Sequence, residues 1–300
     1  MSYRCGYVAI VGRPNVGKST LLNKMVGEKI SITSHKPQTT RHVIRGIATG
    51  DEAQIIFVDT PGLHKGARRA LNKQMNRAAL GTLEEVDAVI LVVGALQWTA
   101  EDERVAEEVK RSAKPVVIAV NKIDAVSDKT QLLPYLAQLE AQTGWTSLVP
   151  ISARTGDNCA ALRATVVQLL PEGPPHFGDD EVTDRSVRFM AAEMVREKLM
   201  RRMGQELPYS VAVMIENFVE NETTCEVHAV IWVERDSHKG MVIGQQGAVL
   251  KQVGTEARRD LEQLLGKKVM LHTWVKVREG WADDMQSLQT LGIADGKQSS

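Results

Sequence analysis

Several short segments of this chain carry residues whose types and spacing suit phosphate and metal chemistry. Gly12, Arg13, Pro14, Asn15, Val16, Gly17, Lys18 and Ser19 form a glycine-framed loop ending in Lys-Ser, the P-loop pattern that wraps the phosphates of a nucleoside triphosphate, and Thr20 continues it. Gly12 and Gly17 let the backbone approach a phosphate with no Cβ in the way. The loop amides and the positive end of the following helix favour an anion. Lys18 is suited to reach the β- and γ-phosphates, and the Ser19 hydroxyl to ligate Mg2+.

The base is read elsewhere. Asn121, Lys122, Ile123 and Asp124 follow an apolar run, Pro115–Val120, and so stand at the C-terminal end of a strand, where α/β sheets bind ligands. Guanine presents N1–H and an exocyclic amino group side by side, and the Asp124 carboxylate can accept both. Adenine would leave that carboxylate unpaired, which is costly in a closed pocket. Asp59, Thr60, Pro61 and Gly62 follow a second apolar run, Gln54–Val58. Asp59 can hold the Mg2+ shell through water, and the Gly62 amide can donate to a γ-phosphate. In the polar segment Pro37–His42, Thr40 is favoured as the second hydroxyl on Mg2+, with Thr39 as the alternative. Ser152 and Ala153, after Leu148–Val149, can close over the base with backbone amides.

These segments, in this order, resemble the nucleotide-binding motifs of the translation-factor class of P-loop GTPases over residues 6–170. The residue that would carry a catalytic glutamine is Leu63, followed by His64. Leucine cannot orient a water, so the chain resembles the GTPases with a hydrophobic residue at that place. That group implies slow intrinsic hydrolysis with Lys18, Thr40 and Gly62 as the catalytic set. It also implies a K+ ion beside the phosphates, ligated by Asn15 and stabilising transition-state charge.

Such loops need strands behind them. Tyr7–Val11 precedes the P-loop as a buried strand, and Ser19–Val26 continues it at helical spacing. Ala88–Val93 is a further buried strand, while Glu101–Ser112 and Thr130–Gln142 read as helices. This alternation predicts an α/β domain, 1–170, with a mainly parallel sheet and helices on both faces. Ala67–Thr82 reads as another helix, whose Arg68, Arg69, Lys73 and Arg77 form a solvated basic face. The 300 residues carry zero formal net charge and a 43% hydrophobic fraction, enough for real cores and without a global basic field. Cys5, Cys159 and Cys225 lack metal or disulfide spacing, which fits a reducing cytoplasm.

Residues 171–184, rich in Pro, Gly and acidic groups, read as a linker. Beyond it the rhythm changes. Arg188–Arg202 is an amphipathic helix with Phe189, Ala192, Val195, Leu199 and Met203 on one face. Ser210–Val219 and Cys225–Val233 alternate as strands, Ala248–Leu265 is helical, and Val269–Val277 alternates again. Between the second strand and the next helix lie Val242, Ile243, Gly244, Gln245, Gln246 and Gly247. A Gly-x-x-Gly opening a helix lets a sugar–phosphate backbone approach main-chain amides, and Val242 and Ile243 can floor unstacked bases. Lys239, Lys251 and Arg258, with Arg235, His238 and Arg259, cluster around it in sequence. This α-β-β-α-β order resembles a bacterial-type KH domain, an α+β unit over 185–280, which implies single-stranded RNA as ligand. Residues 281–300 read as a C-terminal tail, frayed from Gln289 onward.

Both halves together resemble the Era family of bacterial KH-domain GTPases. The likeness continues through Leu207–Val211, Trp274–Val277 and Gly280–Asp284. It implies a monomeric switch that binds GTP and GDP with Mg2+ and acts in small ribosomal subunit assembly. It further implies binding to the 3′ end of the small-subunit (16S) rRNA and to the 30S subunit. Such a protein is expected in the cytoplasm, with peripheral contact to the inner membrane. Two rivals stand beside this reading: a module whose nucleotide is purely structural, and a GTPase whose second domain binds protein.

Overall fold

The computed structural model describes residues 2–34, 36, 38–62, 69–204 and 210–294. Leu63, His64, Pro37, Arg68 and Leu207–Tyr209 lie outside the described residues, as do 295–300. The chain divides into two compact units. The first holds Met1–Ser31, Thr40–Gly66 and Met75–Asp184; the second holds Ile32–Thr39, Ala67–Gln74 and Arg185–Ser300.

The first unit is built on a six-stranded sheet ordered β2-β3-β1-β4-β5-β6. Its strands are β1 (Arg4–Val11), β2 (Ile44–Thr49), β3 (Ala53–Asp59), β4 (Ala88–Gly94), β5 (Val116–Asn121) and β6 (Leu148–Pro150). All pairings are parallel except β2 with β3. β2 was not legible in the sequence, where Arg45 and Gly46 interrupt its apolar pattern. Strands β3 and β4 are buried along their whole length, the near-continuous apolar run expected of strands covered on both faces. The helices are α1 (Lys18–Val26), α2 (Ala70–Glu85), α3 (Ala100–Arg111), α4 (Leu132–Thr143) and α5 (Cys159–Leu169). α3 starts with a capping box, Thr99 accepting from the Asp102 amide and Asp102 accepting from the Thr99 amide.

The segment expected as a linker belongs to this first unit. Gln54 on β3 donates to the Phe177 carbonyl and accepts from the His176 and Phe177 amides. Thr183 bridges to Gly46. The buried Gln54 amide, which also bonds Thr49 and Cys5, thus fastens part of 171–184 along the sheet.

The second unit has a three-stranded sheet, β7 (Val211–Glu220), β8 (Thr224–Val233) and β9 (Lys268–Val277). β7 and β8 are antiparallel; β8 and β9 are parallel. Helices α6 (Val187–Arg202) and α8 (Ala248–Leu265) pack on one another and on the sheet. A further helix, α7 (Asp236–Ile243), precedes the Gly-x-x-Gly loop, where Ser-His-Lys-Gly gives no apolar periodicity to reveal it. The expected tail begins as packed chain. Trp281 and Ala282 are fully buried, the Trp281 Nε1–H donates to the Ser210 carbonyl, and α9 spans Met285–Thr290. The frayed reading of residues from Gln289 therefore fails as far as Ala294, which is itself buried.

Helix α6 is not one-faced. Met190, Met194, Val195, Leu199 and Met200 are buried, and so are Glu193, Arg196, Glu197 and Lys198. Buried charges demand partners, and Thr33 and Thr39 supply some of them, to Glu197 and Arg196.

Candidate nucleotide site and Gly-x-x-Gly loop

The residues singled out in the first half converge at the C-terminal edge of the six-stranded sheet. Gly17 adopts φ 105°, and a Cβ there would stand 2.3 Å from Asn121 Nδ2, so only glycine fits between the loop and the end of β5. The Asn121 side chain ties two loops together: Nδ2 donates to the Val16 carbonyl at 2.7 Å, and Oδ1 accepts from the Ala153 amide at 2.9 Å. Lys122 Nζ donates to the Asn15 carbonyl at 2.7 Å. Ile123 and the Val16 side chain are buried in the core and act as supports.

Lys18 is 7% exposed, its ammonium donating to the Gly12 and Arg13 carbonyls at 3.0 and 3.1 Å. Burial pushes it down to about 8, with Asp59 opposing the shift. A Cβ on Gly62 would stand 3.4 Å from Pro14 Cγ and 3.5 Å from Lys18 Nζ, which puts the Gly62 backbone beside the lysine head.

Asp59 ends β3 fully buried. Its Oδ2 accepts from Ser19 Oγ at 2.8 Å, Ser31 Oγ at 3.2 Å and Thr40 Oγ1 at 3.3 Å, and Ser19 and Thr40 hydroxyls stand 2.9 Å apart. Asp59 Oδ1 is buried with no hydrogen-bond partner among the described residues. Burial raises the Asp59 carboxyl above its ordinary value, against Lys18 and the three hydroxyls. An all-oxygen set of a carboxylate and two hydroxyls, with one carboxylate oxygen unsatisfied, fits Mg2+. Thr39 stands apart from this group, its hydroxyl donating to the Lys36 carbonyl at 2.6 Å. Thr60 faces inward, its hydroxyl donating to the Ile10 carbonyl at 3.3 Å, and Pro61 is buried beside it.

Three of the expected nucleotide-site groups have partners within the protein. The Arg13 guanidinium points away from the loop, to Asp102 Oδ2 at 3.0 Å and Gln97 Oε1 at 2.6 Å, so it anchors the loop on α3. The Ala153 amide donates to Asn121 Oδ1. Asp124 accepts from Ser152 Oγ at 2.6 Å on one oxygen and from the Arg154 guanidinium at 2.5 and 2.9 Å on the other. The Ser152 bond, with Arg154 adding to it, holds Asp124 below the usual carboxylate range.

In the second unit, the segment between α1 and Thr40 is fastened to α6. Glu197 accepts from the Thr33 amide at 2.9 Å, and Arg201 donates to the Thr33 carbonyl at 3.2 Å. The Lys36 ammonium donates to the Met200 and Met203 carbonyls, which closes the C-terminal end of α6 with a cation. Arg196 donates to Glu193 at 2.6 and 2.5 Å and to the Thr39 carbonyl at 2.5 Å. Residues 69–71 are held similarly. The first amides of α2 donate to Asp283 Oδ1 and the Ala282 carbonyl, both at 3.0 Å, satisfying donors that a helix start leaves open. Arg69, expected in a solvated face, pairs with Glu234 at 2.9 Å. Sequence reasoning missed Glu193, Arg196 and Glu197. The available signal was four consecutive charged or apolar residues, 196–199, too polar for a single buried stripe.

Around the Gly-x-x-Gly loop, Gly244 has φ 73° and ψ 174°, and a Cβ there would meet Val249 Cγ2 at 2.4 Å. Gly247 caps α8 at φ 77° with open space around it. Gln245 and Gln246 are exposed, as are Lys251 and Arg258 one heptad apart on α8, and Lys239 is half-buried. Arg258 lies 3.7 Å from Glu262. Val242 is fully buried and cannot floor a base; Ile243 is only half-buried.

This fold and these sites define a P-loop GTPase joined to a KH domain. A family described as a 50S ribosome-binding GTPase matches residues 7–122, and a KH domain family matches 206–282. The chain is 51% identical over 292 residues to GTPase Era of Pseudomonas fluorescens (strain Pf0-1), covering 97% of both chains. It is 52% identical over 294 residues to GTPase Era of Pseudomonas entomophila (strain L48), covering 98% of both. Among solved structures it resembles a tyrosine-to-alanine variant of Aquifex aeolicus Era bound to GDP and aluminium tetrafluoride (TM-score 0.94, 39% identity, 97% of this chain and 100% of that one). It also resembles Era in complex with MgGDPNP and nucleotides 1506–1542 of 16S ribosomal RNA (TM-score 0.95, 39% identity, 98% and 100%). The chain belongs to the Era family of GTPases.

Proposed function

We propose that the chain is a Mg2+-dependent GTP switch whose KH unit binds the 3′ end of 16S rRNA during small-subunit assembly. One observation carries the coupling. Thr40 is bonded to Asp59 and Ser19, while Thr33 and Thr39 before it are bonded to the buried Glu197 and Arg196 of α6 in the second unit. A change in what Thr40 ligates is therefore transmitted along the chain into the KH unit. The solved Era complex with MgGDPNP and 16S nucleotides supports both ligands.

In this reading Gly12 to Thr20 cradle the phosphates, Lys18 and the Gly62 amide face the γ-phosphate, and Ser19 and Thr40 ligate Mg2+ with Asp59 behind a water. Asn121, Lys122 and Asp124 hold the guanine, which replaces Arg154 on Asp124. Bound Mg2+ supplies charge neutralisation on the β- and γ-phosphate oxygens. K+ joins beside Asn15, whose side chain is exposed at φ 64°. RNA meets the Gly244–Gly247 loop with Lys239, Lys251 and Arg258. The chain works as a monomer in the cytoplasm and touches the membrane only peripherally; among the described residues no helix is long and apolar enough to cross one.

The test is RNA affinity, measured with an oligonucleotide matching 16S nucleotides 1506–1542, in GDPNP and in GDP. Tighter binding in GDPNP, by about 5- to 150-fold, is expected. Equal affinities would remove the switch. Phosphate release lost in Lys18→Ala separates a GTPase from a protein with a structural nucleotide.

A further inference from the structure

The outer face of the KH sheet carries a cluster that the nucleotide and RNA readings do not use. Glu226 and His228 alternate along β8, so their side chains share one face. The intervening Cys225, Val227 and Ala229 are fully buried on the other. Parallel pairing sets His272 of β9 directly opposite His228. His228 Nε2 lies 2.7 Å from Glu226 Oε1, and His272 Nε2 lies 3.7 Å from the same oxygen. All three donor atoms fall within 4.8 Å of one another. Two ligands of a tetrahedral ion with metal–ligand bonds of about 2.0–2.1 Å stand about 3.4 Å apart, so small side-chain rotations bring these donors onto one centre.

The geometry points to an exchangeable Zn2+ site formed by Glu226, His228 and His272. The donor set selects the metal. Two imidazoles and one carboxylate suit zinc-like ions, whereas Mg2+ and Ca2+ require oxygen ligands. Three protein ligands leave a fourth position for water. Side-chain exposures of 28%, 37% and 48% for His228, Glu226 and His272 give an ion access from solvent. Trp274 walls one side, its ring 5.2 Å from that of His228 and 5.9 Å from that of His272. The ion ties the outer faces of β8 and β9 together, at the opposite side of the sheet from its buried core.

The test uses the full chain, freed of nucleotide and washed with chelator, titrated with ZnCl2 by calorimetry and with CoCl2 by visible absorption. One equivalent binds, with a nitrogen–oxygen ligand field and no thiolate charge-transfer band. His228→Ala and His272→Ala each weaken binding at least about tenfold. Glu226→Gln keeps the side-chain shape and guards against a folding artefact; it too weakens binding. Asp59→Asn keeps the site, and Zn2+ raises the melting temperature of the wild type but not of the double histidine variant. An unchanged isotherm in the double histidine variant overturns the assignment. Loss of the ion in Asp59→Asn does so too, because the metal then sits in the nucleotide site.

Discussion

The bond from Arg196 to the Thr39 carbonyl offers the sharpest test of coupling. Removing Arg196 alone would mislead. Arg196 is 3% exposed and Glu193 5%, so the single change removes one member of a buried ion pair at a cost of about 3–5 kcal/mol. That is a large part of the ~5–15 kcal/mol that holds a typical domain together. Replacing both members, Arg196→Met with Glu193→Leu, exchanges the buried pair for apolar volume, which is commonly neutral or stabilising. Methionine suits the place because Arg196 Nη1 already lies 3.1 Å from Met200 Sδ. What disappears is the charge-assisted bond to Thr39, worth about 1.5–3 kcal/mol. At ~1.4 kcal/mol per decade that is about 10- to 150-fold, the same size as a typical allosteric coupling. The assay is the ratio of RNA affinities in GDPNP and GDP, with the melting temperature as control. The ratio should collapse towards one while the fold holds. By reciprocity, RNA should cease to tighten GDPNP binding by the same factor. A double variant with the wild-type ratio would show that the contact is equal in both nucleotide states, and the coupling argument would be wrong.

Other outcomes follow from the same geometry. In the ligand-free chain Lys18 sheds its proton near 8, while the unfolded chain keeps it to about 10.5; the unfolded state holds more protons in that window, so stability rises with pH between these values, and denaturant melts of Lys18→Met should lack the rise. Asp59 is shifted the other way: its folded value is raised, so ligand-free stability falls as pH climbs from 3.8 through that value, and Asp59→Asn should abolish the fall. Phosphate release should run faster in K+ than in Na+, with the difference gone in Asn15→Ala. The two loop glycines should separate: Gly244→Ala destabilises by about 3 kcal/mol through backbone strain and the clash with Val249, whereas Gly247→Asp costs about 1 kcal/mol and weakens RNA binding in a chain that still melts cooperatively.

The convergence of the loops proposed to hold the nucleotide was legible because their chemistry is local. A phosphate cradle needs glycine at Gly17, and a guanine reader needs a carboxylate at Asp124; each follows a strand whose apolar run is itself a strong signal. The placement of Lys36 and Thr39 was not legible. In sequence 32–39 looks like a polar loop, and what holds Thr33, Lys36 and Thr39 is buried charges and terminal carbonyls of α6, more than 150 residues later in the chain. Amphipathic periodicity misjudged α6 for the same reason, since a polar stripe covered by another segment looks identical to one facing water. Strand β2 escaped because Arg45 and Gly46 break its alternation. The Arg13 guanidinium escaped because Asp102, its partner, also reads as an ordinary helix cap.

The nucleotide site stores unfavourable electrostatics, and this connects its chemistry to switching. A buried ammonium and a buried carboxylate with one bare oxygen each resist their charged forms. A pre-formed site of this kind is destabilising until a cation meets the Asp59 set and an anion meets Lys18. In the proposed switch Mg2+ and triphosphate would answer both deficits at once, and loss of the γ-phosphate would return part of the deficit to Lys18. The relief is localised at Ser19, Thr40 and Asp59, and Thr40 is the residue where the chain passes from the first unit to the segment bound on α6. A ligand shifts an equilibrium only by its differential affinity for the two states. In the proposed switch that difference falls on the Thr40 hydroxyl, and one stretch of backbone would join γ-phosphate chemistry to RNA grip.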